Sequence, residues 1–180
     1  MKKIIPLLLV VPFLSQAEDM KKEVNAPTGA FGIEFGQKLS TLKVLNKGEL
    51  TSGEAIYQVQ SPNPLKGKLD QYFVLITPKT QKVHTIWGNK EYEGFSKQKC
   101  EAEKSDIVSI LENKYGESKP VREINIDNDR MFEVKNVNIF TVCQGMGSTL
   151  SIRYINNEFS DLADQEKKES VIEKTDASML

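Results

Sequence analysis

Thr149-Leu150-Ser151-Ile152-Arg153-Tyr154-Ile155 is the stretch on which the fold class turns. Leu150, Ile152 and Tyr154 fall on one side of an extended chain and Ser151 and Arg153 on the other, the period of two expected of a strand with one face in a core. Working backward, Val137 to Cys143, Met131 to Val134 and Val121 to Ile126 alternate in the same way, joined by Gly145-Met146-Gly147 and by Asp127-Asn128-Asp129. Before them the period changes. Cys100, Ile107, Ile110, Leu111 and Tyr115 recur at helical spacing, with Ser96 placed to cap a helix over Lys97 to Tyr115 and Gly116 placed to end it in the left-handed conformation.

Upstream of that helix, Ala55 to Gln60, Tyr72 to Thr77 and Lys82 to Trp87 read as an antiparallel meander. Thr77-Pro78-Lys79-Thr80-Gln81 supplies proline where its fixed φ suits a turn. Phe31, Ile33 and Phe35 alternate with Gly32, Glu34 and Gly36 and read as one earlier strand. Leu39, Leu42, Val44 and Leu45 suggest a turn of helix running into extended chain before Gly48 and Gly53. After the last strand, Phe159, Leu162 and Ala163 are spaced for a helix that docks by its first turns.

Strands then helix, twice over, implies an α+β fold: a mostly antiparallel sheet with one central helix and a C-terminal helix. The order also fits tandem βββα units, although no residue-level repeat accompanies it. The expected organisation is a signal peptide at 1–17, a flexible leader at 18–29, a single α+β domain at 30–160 and a C-terminal helix fraying to a polar tail at 161–180.

The signal reading rests on Lys2 and Lys3, the apolar run Ile4 to Leu14 and the small residues of Ser15-Gln16-Ala17, with cleavage expected after Ala17. The run is too short to span a bilayer, and no later stretch is apolar enough, so no transmembrane segment is expected in the mature chain. The expected location is periplasmic or secreted. In an oxidising compartment the two cysteines, Cys100 and Cys143, are expected to pair as a disulfide.

Composition narrows the function classes. Twenty-four basic and 25 acidic side chains give a net charge of -1, without the basic footprint that a phosphate backbone requires, so nucleic acid is not an expected partner. No cofactor motif is present, and no metal site is expected. Asp127-Asn128-Asp129 begins like a calcium loop, but Met131 and Phe132 stand where an oxygen ligand and a glycine are required. The single histidine, His84, lies mid-strand with no motif supplying a nucleophile or an orienting acid. It reads as half-exposed, facing opposite to Trp87, and dispensable. Paired carboxylates drawn from Glu34, Glu54 and Glu91 would serve a glycan hydrolase, but 25 acids offer too many pairs to choose among.

What remains is surface character. Trp87, Tyr92 and Phe95 are the candidate binding residues, since aromatic groups with a polar handle anchor interfaces, while the competing reading places them in the core. Residues 18–97 carry a net +2 and residues 98–180 a net -5, a mild dipole. The leading expectation is a small exported bacterial binding module of inhibitor or immunity type. It would act on a protein or envelope component without turnover. A small envelope hydrolase using paired carboxylates is the alternative. Export has a direct check: mass spectrometry of chain recovered outside the cytoplasm should give an N-terminus at Glu18, and an intact Met1 chain confined to the cytoplasm would contradict it.

Overall fold

A computed structural model describes residues 24–94, 96–121, 129–145 and 148–177. The expected signal peptide, most of the strand expected at Val121 to Ile126, and Phe95 lie outside the described residues. The chain begins with a small hairpin, β1 (Gly29–Ala30) and β2 (Ile33–Glu34), and a 3-10 turn at Leu39–Thr41. A meander follows: β3 (Val44–Glu49), β4 (Ala55–Val59), β5 (Gln71–Ile76) and β6 (Val83–Glu91). Helix α1 (Lys97–Tyr115) leads to a second meander, β7 (Lys119–Pro120), β8 (Arg130–Val134), β9 (Val137–Gln144) and β10 (Thr149–Asn156). Helix α2 (Asn157–Ala177) closes the described chain.

The two meanders form one eight-stranded sheet in the order β3-β4-β5-β6-β10-β9-β8-β7, antiparallel throughout. The fold is therefore α+β with a mostly antiparallel sheet and two helices. Each half supplies four strands and then a helix, one strand more than the βββα unit read from the sequence. The order of elements repeats, but the packing does not. Leu150, Ile152, Tyr154, Ile139 and Ile86 share a buried cluster with Cys100, Ile107 and Leu111 of α1. Alternation along the same strands sends Ser151, Arg153 and Ile155 to the opposite face, where Ile155 and Arg153 line a cavity with Ala163 and Lys167 of α2.

The first strand expected from the sequence is instead a hairpin. Phe31 and Gly32 both have positive φ, 54° and 78°, which turns the chain between β1 and β2 in the manner of a tight two-residue loop. Ile33 is buried, while the Phe31 ring packs between Tyr72 and Tyr154, 5.1 and 5.7 Å from their centroids. Gly48 does not break the chain either. It sits inside β3, paired with Ile56 of β4.

Helix α1 lies where the spacing put it and ends at Gly116 (φ 91°), whose N–H reaches the Glu112 carbonyl. Ser96 provides no side-chain cap. Its buried stripe is Cys100, Lys104, Ile107 and Leu111, so a lysine takes the place expected of an apolar residue, and Ile110 is exposed. Lys104 meets Glu101 at 2.9 Å and Asp129 at 3.5 Å, the pairing that a buried ammonium needs. Helix α2 starts directly from β10, with Asn156 Oδ1 accepting the Phe159 N–H. It is fastened further along by Glu166, whose carboxylate accepts the Lys79 and Thr80 N–H groups and the Thr80 hydroxyl in the β5–β6 turn. Burial opposes ionisation of Glu166, but those three hydrogen bonds outweigh it and hold the carboxyl below the usual range.

Cys100 and Cys143 are joined, with Cα atoms 6.1 Å apart, tying α1 to β9 across 43 residues of chain. On the loop-entropy view, opening such a loop costs about 4 kcal/mol. Cys143→Ala should lower the unfolding free energy by roughly that amount in urea titrations under oxidising conditions. A loss below about 1 kcal/mol would mean that the crosslink adds little to the packing around it.

Candidate functional site

Strand alternation and register together build the site. The pairs Phe73 with Trp87, Trp87 with Arg153, Arg153 with Phe140 and Phe140 with Met131 place five large side chains side by side in one row across β5, β6, β10, β9 and β8. The row lies on the face opposite α1. Helix α2 packs on that face against β6 and β10 near Thr85 and Ile155. Phe73, Arg153, Phe140 and Met131 keep partial exposure, and Trp87 beneath them is 7% exposed.

The middle of the row is a stack. The Arg153 guanidinium carbon sits 4.4 Å from the Trp87 ring centroid, and Phe73 flanks the indole at 5.8 Å. Burial lowers the pKa of Arg153, and among the described residues no carboxylate offsets it. The Trp87 ring is its partner, and a ring face accepts a cation without satisfying its N–H donors. The Trp87 indole N–H and the Asn89 carbonyl oxygen, two residues further along β6, are also buried without hydrogen-bond partners among the described residues.

His84 occupies a second polar position, and here the sequence reading needs correcting. The register of β5 and β6 shifts between Leu75 and Ile76, and His84 falls opposite that irregularity. It is buried, at 4% exposure, and lines the α2-side cavity with Thr85 instead of standing half-exposed on the other face. Nor is it without an acid: Nε2 is 3.6 Å from Glu54 Oε1, which also holds Lys167 Nζ at 3.1 Å. Burial lowers the His84 pKa, Glu54 raises it and Lys167 lowers it, with a net fall. Nδ1 lies 3.0 Å from the buried Thr85 hydroxyl. Ser160 lines the same cavity but forms no hydrogen bond with the imidazole among those described, so no exposed nucleophile is coupled to a base there.

The expected binding trio does not assemble as one patch. Trp87 belongs to the row, whereas Tyr92 lies on the α1 side among the core residues, its ring 5.4 Å from Lys90 Nζ and 5.6 Å from Lys99 Nζ. Burial, aided by Glu103, pushes its hydroxyl well above the usual tyrosine range. Phe95 lies outside the described residues. The candidate acids do not meet either. Glu34 lines a cleft of about 410 Å³ beside Tyr115 and Tyr154, Glu54 lines the α2-side cavity of about 190 Å³, and Glu91 is exposed at the end of β6. Among the described residues no three His, Cys, Asp or Glu side chains gather to hold a metal ion, and no helix is long and apolar enough to cross a membrane.

The sequence reading missed Arg153, Phe73, Phe140 and Met131 as a group. Each strand shows its own alternation, but the partners across the sheet are fixed by pairing between distant segments. No family model matches the chain, and no curated protein or solved structure matches it.

The buried imidazole carries a pH signature. Its folded pKa is depressed, so below about pH 6.5 the unfolded chain binds a proton that the folded chain resists, and acid favours unfolding. Melting temperature should fall between about pH 7.5 and pH 5.5, and His84→Gln should flatten that decline. An equally steep decline in the variant would assign the effect to other groups.

Proposed function

We propose that this chain is a small exported binding module that grips a protein of the cell envelope or its surroundings without turnover, using the open sheet face around Trp87 and Arg153. An inhibitor or immunity protein for an envelope-targeting enzyme is the concrete form of that reading. The observation that carries it is the in-register row Phe73, Trp87, Arg153, Phe140 and Met131. Tryptophan and arginine at the centre of a patch, ringed by apolar side chains, is the composition that dominates binding energy in protein interfaces. Export rests on the Lys2 to Ala17 pattern.

The hydrolase alternative has less support. Glu54 and Asp164 do share the α2-side cavity, but Glu54 is engaged by Lys167, and about 190 Å³ is well below the ~300 Å³ at which ligand pockets begin.

The binding reading is tested by comparing two surfaces in capture from envelope extract. Phe140→Ala, on the open face, should reduce recovery of the partner by about tenfold or more, as truncation of a central aromatic does. Ile110→Ala, on the exposed side of α1, should leave capture unchanged. Melting curves establish that both variants fold. The reverse ranking would move the binding surface to the helix side.

A further inference from the structure

We propose that Arg153 is a carboxylate-recognition point: the protein partner presents an aspartate or glutamate side chain to its guanidinium and lays flanking apolar groups on Phe73 and Phe140. This rests on the open-face reading and adds the chemistry of the group that is bound.

Several covered cations of this chain are held by acids, whereas Lys82, over the Phe159 ring, and Arg130, both part-covered, show no acidic partner among the described residues. Lys90 meets Glu103 at 2.7 Å, Lys104 is held by Glu101 and Asp129, and Lys167 reaches Glu54. Arg153 stands in the middle of a sheet, between Trp87 and Phe140 in register, and among the described residues no acid pairs with it, although Glu54 and Asp164 line the same cavity. Removing a cation from water without pairing it costs free energy, and an incoming carboxylate would recover that cost. Guanidinium is the group suited to this, because its planar fork matches a carboxylate with two parallel N–H···O bonds, and contact with an indole face consumes none of those donors.

A carboxylate fits better than a phosphate. Phosphate sites gather several cations or N–H groups, whereas the cations beside Arg153 on this face, Lys119 at the end of the row and Lys167 in the α2-side cavity, are already engaged by Glu133 and Glu54. The aromatic neighbours on both sides of the cation favour a carboxylate set among apolar side chains, as on a protein surface.

Trp87 is the only tryptophan of the chain, so its fluorescence reports on this stack alone. The probe is the blocked peptide acetyl-Phe-Glu-Phe-amide, with its Gln counterpart and inorganic phosphate as comparisons. The Glu peptide should change Trp87 emission saturably below about 10 mM, about tenfold more tightly than the Gln peptide, as loss of a charge-assisted pair implies. Arg153→Gln should abolish that preference, and Arg153→Lys should retain the charge but weaken binding.

Equal response to both peptides, no saturable response, or equal competition by phosphate would each overturn the proposal. So would concentration-dependent dimerisation in sedimentation that accounts for the emission change, since the occupant would then be a second copy. Capture from extract separates the two levels of inference. If Phe140→Ala loses the partner and Arg153→Gln keeps it, carboxylate recognition fails and the binding face stands. If both keep it, the face itself is wrong.

Discussion

The antiparallel pairing of β6 with β10 is the constraint on which the rest of the molecule hangs, because it is where the two halves of the chain meet. Seven residue pairs, from Thr149 with Glu91 to Ile155 with Thr85, fix which side chains share a face. In that register Ile86 and Tyr154 point together into the α1 core while Trp87 and Arg153 stack on the other face. A slip by one residue would send the whole β10 set to the wrong side. Gly88, opposite Ile152, adds a steric condition. A Cβ there would come within 2.6 Å of Leu69 Cδ1 and 3.3 Å of the Tyr72 ring, so the bare backbone at Gly88 is what lets the Leu69 side chain lie directly on the sheet.

From that seam the two faces develop differently. On one side α1, the disulfide and the hairpin cover the apolar side chains, and Lys104 is accommodated by bringing two carboxylates with it. On the other, three contacts stand out among those that hold α2. These are the Asn156 cap, the Phe159 ring against Gly36, where a Cβ would come within 2.6 Å, and the Glu166 carboxylate in the β5–β6 turn. Those fastenings lead the helix toward the turn that joins β5 to β6 and toward Glu54 at the start of β4. They leave the row from Phe73 to Met131 partly exposed, with Arg153 lining a cavity together with Ala163 and Lys167 of α2.

How much of this was legible depends on the range of the interaction concerned. The alternation of Thr149 to Ile155, the helix from Lys97 to Tyr115 and the Cys100–Cys143 pair are set by local pattern or by compartment chemistry, and all three are present. The separation of Trp87 from Tyr92 was also within reach, since five residues along an extended chain reverse the facing. The misreadings come from local irregularity. Positive φ at Phe31 converts an apparent strand into a hairpin, and the shifted register beside His84 turns that ring toward α2 and Glu54. The Arg153 environment could not be read at all, because Trp87 lies 66 residues before it in the sequence and only the central pairing brings them together.

Stability alone gives little account of that environment. A sheet face could be closed with aliphatic side chains at no electrostatic cost, and Val74, Ile86, Ile139 and Ile152 do much of this on the α1 side, where Lys104 is buried together with its acids. On the open face the chain instead keeps a partly desolvated guanidinium, an indole N–H and the Asn89 oxygen for which the described residues supply no acid, no acceptor and no donor. Each is a local departure from the pairing that folding favours. Such departures gather where a protein interacts with something other than itself. All three fall within three adjacent positions of the β6–β10 ladder, at Trp87, Arg153 and Asn89. The same segment of sheet that joins the two halves therefore carries part of the unmet hydrogen-bonding capacity of the described residues, which His84, Asp129 and Thr141 share elsewhere, and a partner that binds there would meet the seam between the halves.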